Sequence, residues 1–238
     1  MNDGFLSQEE IDALLKGGGD SATPEPVAAE LSEMEQDALG EIGNISMGSA
    51  ATTLSVLLGR RVSITTPKVE VITFENIKNN YPLPYLIIEV GYTQGIKGNN
   101  ILAIREQDSL IIADLMMGGD GTNPSVELNE LSMSAVGEAM NQMMGSVATS
   151  MSTMFNKMVD ISPPVVNLID LSNTNNLENL ATADGDLLVK IAFRMEVEGL
   201  IDSEIMQILP VDISKEMVDS LMNSAQDSTP PPPQDLAP

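Results

Sequence analysis

A carboxylate and a carboxamide stand three residues apart in the run Asp37-x-x-x-Glu41-x-x-Asn44. The same pair returns 97 positions later as Ser134-x-x-x-Glu138-x-x-Asn141. An ungapped alignment of 30–67 on 127–164 gives 16 identities in 38 positions, among them Gly40/Gly137, Gly48/Gly145, Ser49/Ser146, Thr52/Thr149 and Pro67/Pro164. A lone Glu-x-x-Asn is ordinary on any exposed helix face. Its retention with flanking Asp/Ser, Gly and Pro, while Gln36/Met133 and Arg61/Met158 have diverged, points to a shared task. What the chain lacks narrows that task. It has no histidine and no cysteine, which excludes a Ser-His-Asp triad, cysteine phosphatase chemistry and a His-ligated zinc. Hydrolysis would have to run through carboxylates, amides, hydroxyls or a metal brought by another molecule.

Spacings of 4, 3 and 4 put Asp37, Glu41, Asn44 and Gly48 on one narrow stripe of a helix. Ser134, Glu138, Asn141 and Gly145 form the matching stripe. Leu39, Ala50, Leu54 and Leu57 fall on the broadly opposite side, as do Val136, Met140, Val147 and Met154. The stripes are therefore expected to face solvent while the apolar sides meet a sheet. The terminal glycines leave room for another protein to approach. Helices are predicted over 31–58 and 128–157. Strands are predicted at 61–66, 69–74, 85–92 and 99–104, with a helix at 107–117 that Gly118-Gly119 stops. The second half repeats this order, with strands near 165–171, 187–194 and 199–208 and a helix at 212–222. Ser109, Asp114 and Met117 match Ser214, Asp219 and Met222 at an offset of 105, so insertions are placed in intervening loops, at 173–186. The expected fold class is α+β: a pseudo-twofold duplicated domain at 30–223, with halves at about 30–122 and 127–223, and long helices packed on a mainly antiparallel sheet.

Residues 1–16 read as a separate peptide. Ser7-x-x-Glu10 is a capping box and Leu6/Ile11 a hydrophobic staple. Ile11, Leu14 and Leu15 then share one face, and Gly17-Gly18-Gly19 ends the helix. Residues 17–29 have linker composition, so the peptide is expected to fold into a partner's groove. The alternative is a short helix packed on the body. Residues 224–238 form a Pro-rich tail, expected to be extended and disordered.

The formal charge of −24 repels phosphate backbones, so nucleic-acid binding is not expected. No apolar run reaches the roughly 18–20 residues of a membrane span, and the N-terminus has no signal-peptide pattern. A cytoplasmic protein without membrane insertion is expected. The 16 methionines, partly clustered at 140–158, read as adaptable core filling. Gly118-Gly119-Asp120-Gly121 lacks the Lys-Ser/Thr of a phosphate loop and follows a helix, so it reads as a helix stop.

The doubled D/S-x-x-x-E-x-x-N signature, each copy followed by Pro, resembles the CheC/CheX/FliY family of chemotaxis phosphatases. The N-terminal FLSQEEIDALL resembles the receiver-binding peptide of flagellar switch proteins. The resemblance implies a CheC-like fold and an enzyme that hydrolyses the aspartyl phosphate of phospho-CheY. It implies that Asn44 and Asn141 orient the attacking water, and that Glu41 and Glu138 engage the receiver's active-site lysine. Asp37 and Ser134 would support them. Phe5, Leu6, Ile11, Leu14 and Leu15 would bind CheY. The chain would need no cofactor of its own, since Mg2+ comes with the CheY substrate. Flagellar switch proteins (FliM, FliG and FliN) would be partners, at the switch complex of the basal body on the cytoplasmic side. The competing expectation is a non-catalytic switch scaffold of FliM type that binds phospho-CheY through its N-terminal peptide. Family members of this kind commonly continue into a C-terminal FliN-like domain, whereas this sequence stops at the Pro tract.

Overall fold

Ser32 starts the first long helix, α1 (Glu33–Leu58), through a capping box. Its Oγ accepts from the Glu35 N–H at 3.3 Å, and the Glu35 carboxylate accepts from the Ser32 N–H at 2.7 Å, so two otherwise orphaned donors are satisfied. Gly59 ends α1 in the left-handed region (φ 61°). The second long helix, α4 (Glu130–Met154), is capped by Asn129, whose Oδ1 accepts from the Ser132 N–H at 2.9 Å. Where the first copy has Gly59 the second has Asn156 at φ 49°, asparagine being among the side chains that tolerate this region best.

The computed structural model describes residues 31–81, 84–170 and 187–227. The expected N-terminal peptide with Phe5, Leu6, Ile11, Leu14 and Leu15, the linker at 17–29 and the insertion at 173–186 lie outside the described residues. So does the tail beyond Asp227.

After α1 come β1 (Val62–Thr73), α2 (Phe74–Asn80), β2 (Pro84–Gln94), β3 (Gly98–Arg105) and α3 (Glu106–Met116). After α4 come β4 (Asp160–Ile161), β5 (Val165–Asp170), β6 (Leu187–Val197), β7 (Ile201–Pro210) and α5 (Val211–Asp227). The strands form one antiparallel sheet in the order β1-β6-β7-β3-β2-β4, with β5 also paired to β2. The order reads the same from either end once the halves are exchanged. Each half thus gives its first strand to the other half's sheet: β1 pairs with β6, and β4 and β5 pair with β2. The halves are continuous in sequence and interlocked in space.

Four elements differ from the sequence expectation, the unexpected two-residue strand β4 among them. The strands expected at 61–66 and 69–74 are one strand, β1, whose register shifts between Thr65 and Lys68. Proline has no N–H to donate, so Pro67 sits at a bulge on an edge strand, and Pro163-Pro164 separates β4 from β5 on the other edge. The helix α2 was not expected, because FENIKNN is short and poor in helix formers. Thr73 caps it by accepting from the Asn76 N–H at 3.2 Å. The last helix runs to Asp227, past the expected domain end at 223. There Ser224 Oγ donates to the Met154 carbonyl at 3.0 Å, tying α5 to the end of α4.

The main core lies between the helices and one sheet face. Leu39, Met47, Leu54, Met140, Met143 and Met144 meet Leu86, Ile88, Val189 and Met195 there, and the Met140–Met151 cluster fills the interior. A smaller cluster on the opposite face has Ile77 of α2 against Tyr85, Ile87, Ile101 and Ile208. Because both faces are covered there, β2 and β3 carry the continuous apolar runs Tyr85–Ile88 and Ile101–Ile104. At the rim of the smaller cluster Lys190 is nearly buried. Its ammonium meets the Glu70 carboxylate at 2.7 Å and donates to the Tyr81 hydroxyl at 2.7 Å. The Lys190 bond, then the Lys68 bond, hold Glu70 below its ordinary value of 4.5 against the opposing effect of burial. A depressed carboxylate contributes stability in full above its unfolded pKa and loses it as pH falls through the folded one. Denaturant titrations of wild type and Glu70→Gln are therefore expected to differ above about pH 4.5 and to converge in more acid solution.

One serine in each copy fastens the long helix to the strand after it. Ser55 Oγ donates to the Ala51 carbonyl at 2.7 Å and accepts from the Val62 N–H at 2.9 Å; Ser152 Oγ repeats both bonds, with Ala148 at 2.8 Å and Val159 at 2.8 Å. Alanine at either site leaves the N–H of Val62, the first residue of β1, or of Val159, just before β4, without its partner. Ser55→Ala or Ser152→Ala is expected to cost about 1–3 kcal/mol in a urea unfolding titration.

Candidate functional site

Burial of Leu39, Ile42, Ser46, Met47 and Ala50 on one side of α1 turns Asp37, Glu41, Asn44 and Gly48 to the outside, where all four are exposed. In α4, burial of Val136, Ala139, Met140, Met143 and Val147 does the same for Ser134, Glu138 and Asn141, with Gly145 half-exposed. Leu54 is buried as expected on the opposite side; Leu57 and Met154 are only half-buried. The stripe was legible because both long helices are regular from cap to cap.

Each stripe borders a cleft whose far wall is the edge strand at its proline. The first, about 540 Å³, is lined by Gln36, Asp37, Gly40, Glu41, Asn44, Thr65, Pro67 and Val69. The second, about 480 Å³, is lined by Glu130, Met133, Ser134, Gly137, Glu138, Asn141, Pro163, Pro164 and Val166. Corresponding residues of the repeat build both. The structure thus brings all six sequence-selected residues of the domain into two matched sites, and it shows why the glycines and prolines recur. A Cβ on Gly137 would stand 3.3 Å from Val166 Cγ2, tighter than most real contacts, so this glycine sets helix close against strand; one on Gly40 would stand at an ordinary 3.9 Å from Val69 Cγ2. The cleft residues missed in sequence are Thr65, Val69 and Val166, on strands whose pairing was not legible, and Pro163, in the link between β4 and β5. The recurrence of Pro67 as Pro164 was their only signal.

Gly48 and Gly145 behave differently. A Cβ on either would meet nothing within 4 Å, although glycine inside a helix costs roughly 0.5–1 kcal/mol relative to alanine. Packing within the chain does not explain them.

Among the described residues, no hydrogen bond or ion pair occupies the side chains of Glu41, Asn44 or Asn141. Glu138 is held: its Oε1 accepts from Gln142 Nε2 at 2.8 Å. The corresponding position in α1 is Ile45, which is exposed and cannot donate. The clefts also differ at Gln36, whose Nε2 donates to the Leu31 carbonyl at 3.0 Å, where the second copy has Met133. The two sites share one plan and differ at their flanks. Both present an acceptor-only carboxylate suited to a cation beside a carboxamide that can donate and accept.

Elsewhere, Gly118 (φ 88°) ends α3, with its N–H donating to the Leu115 carbonyl at 3.1 Å. It is a helix stop, as expected. Among the described residues no three acidic side chains are grouped to hold a metal ion. No described helix is long and apolar enough to cross a membrane.

A model of the CheC-like family matches residues 34–71 and 131–168, two segments again 97 residues apart. The flagellar motor switch phosphatase FliY of Bacillus subtilis (strain 168) is 53% identical over 226 residues, covering 94% of this chain and 59% of that protein. The chain thus spans less than two thirds of that relative's length. The CheY-P phosphatase CheX of Thermotoga maritima is 32% identical over 125 residues, covering 52% of this chain and 74% of CheX. The crystal structure of Thermotoga maritima FliY superposes with a TM-score of 0.77 at 41% identity, covering 82% of this chain and 100% of that one.

Proposed function

The chain belongs to the CheC-like family, and from that membership and its two matched clefts we propose that it hydrolyses the aspartyl phosphate of phospho-CheY at the flagellar switch. The observation that carries the reading is the pair of exposed stripes, each presenting a glutamate and an asparagine at the mouth of a cleft built in the same way. Such a surface is half of a catalytic site. The receiver brings the phosphoryl group and, as part of the substrate, its Mg2+. Asn44 and Asn141 each hold a water in line with the phosphorus, donating or accepting through the carboxamide. Positioning of this kind suits phosphoryl transfer, where the enzyme's task is orientation and charge placement rather than strong acid-base chemistry. Glu41 and Glu138 bond a cationic group of the receiver and fix the helix over the phosphate. Asp37 and Ser134 differ in charge and lie one turn earlier, so they support docking rather than act on the reacting atoms.

The N-terminal peptide, through Phe5, Leu6, Ile11, Leu14 and Leu15, recruits the receiver and raises its concentration near both sites. The chain works beside flagellar switch proteins of the FliM, FliG and FliN kinds, on the cytoplasmic side of the basal body. The test is phosphate release from phosphorylated CheY with wild type, Asn44→Ala, Asn141→Ala and the double variant. Unchanged release by the double variant would leave only a binding scaffold.

A further inference from the structure

We propose that each stripe carries an apolar anchor, Met34 in the first copy and Leu131 in the second, that packs against the phosphorylated receiver as it docks. The inference rests on the function proposed above. Each residue is the second of its helix, three positions before Asp37 or Ser134. Helical geometry puts it on the same side as the glutamate two turns further on.

The duplication supplies an internal control. Met34 is 63% exposed and Leu131 67%. Within 30–67 and its copy 127–164, the other exposed large apolar residues are Ile45, Val56 and Met158; their counterparts are Gln142, Thr153 and Arg61. Exposed apolar side chains on these segments have thus been replaced freely in one copy or the other. Within these two segments, position 34/131 alone stays large, apolar and open in both. Neither residue serves its own helix, since Ser32 and Asn129 make the caps. Leu31 and Leu128 are the flanking residues that turn inward, the first buried and the second packed on the main core. The anchor continues the stripe, so whatever docks over Glu41 or Glu138 reaches it. The occupant is therefore the receiver itself. Apolar contact adds an attraction that does not depend on charge, which suits a chain of net charge −24.

The experiment uses the full chain carrying Ile11→Ser, so that recruitment by the N-terminal peptide does not mask docking on the stripe. Met34→Gln/Leu131→Gln is expected to weaken binding of the beryllofluoride-activated receiver about five- to tenfold and to lower kcat/KM for phosphate release by a similar factor. Met34→Leu/Leu131→Met keeps both, and the melting temperature of neither variant moves. Met117→Gln/Met222→Gln, a second matched and exposed pair at the ends of α3 and α5, serves as the control and leaves both unchanged. Wild-type binding by Met34→Gln/Leu131→Gln, or an equal loss in the control, overturns the anchor. Retained turnover in Asn44→Ala/Asn141→Ala would instead overturn the catalytic reading, while the binding titration still judges the anchor.

Discussion

With both Asn44 and Asn141 replaced by alanine, phosphate release from phosphorylated CheY is expected to fall to the receiver's own unassisted rate, a loss of about 100-fold or more in the contribution proposed for this chain. A carboxamide that only positions water contributes by orientation, and alanine removes both its donor and its acceptor. Each single variant keeps the untouched site, so Asn44→Ala and Asn141→Ala should each retain a substantial part of the activity. Their unequal remainders would report the different flanks, where Gln142 holds Glu138 at 2.8 Å and Ile45 leaves Glu41 without such a bond. Both asparagines are exposed, so stability should stay within about ±0.5 kcal/mol, as usual for surface substitutions. Single-turnover decay of labelled phospho-CheY gives the rates, and thermal unfolding of the same samples checks the fold.

The second large effect is on stability. Gly43 and its repeat counterpart Met140 are both buried, and they are matched by an opposite difference on the strands. The register pairs Lys68 with Ala192 and Val165 with Glu89, so Phe193 corresponds to Val90. A Cβ on Gly43 would stand 2.9 Å from Phe193 Cζ, closer than real contacts allow. One copy therefore uses a glycine beside a phenylalanine, and the other a methionine with a valine at the matching strand position. Gly43→Met installs the other copy's helix residue against a ring that is 1% exposed. The expected cost is about 3 kcal/mol, the upper end of ordinary overpacking, even though leaving glycine favours the helix by roughly 1 kcal/mol. Phe193→Val alone opens a cavity and also destabilises. The double variant Gly43→Met/Phe193→Val copies the other half and should recover most of the loss, an interaction energy well above the ~0.5 kcal/mol expected of independent sites. Additive losses in urea titrations would show that the two positions do not compensate.

These two experiments fall on opposite sides of what the chain reveals before it folds. Asn44 and Asn141 were legible because a helix imposes its own period. Spacings of 3 and 4 place side chains on one stripe whatever the helix packs against. The strands were legible as apolar runs, though not their partners. The two strands expected before position 74 proved to be one because a bulge absorbs Pro67. The helix α2 escaped notice because its sequence is weak and its purpose, covering the second sheet face with Ile77, exists only once that face has formed.

The sequence by itself determined the duplication, the two Glu/Asn stripes, the absence of histidine and cysteine chemistry, and the helix-and-antiparallel-sheet class, because each follows from local periodicity and residue type. Only the tertiary structure decided that the halves exchange their edge strands, that Pro67 and Pro164 stand opposite the stripes to make clefts, and that Phe193 requires Gly43. Those depend on which residues distant in the chain are brought within a few ångströms. Packing settles that jointly for the whole core, and no local window of sequence contains it.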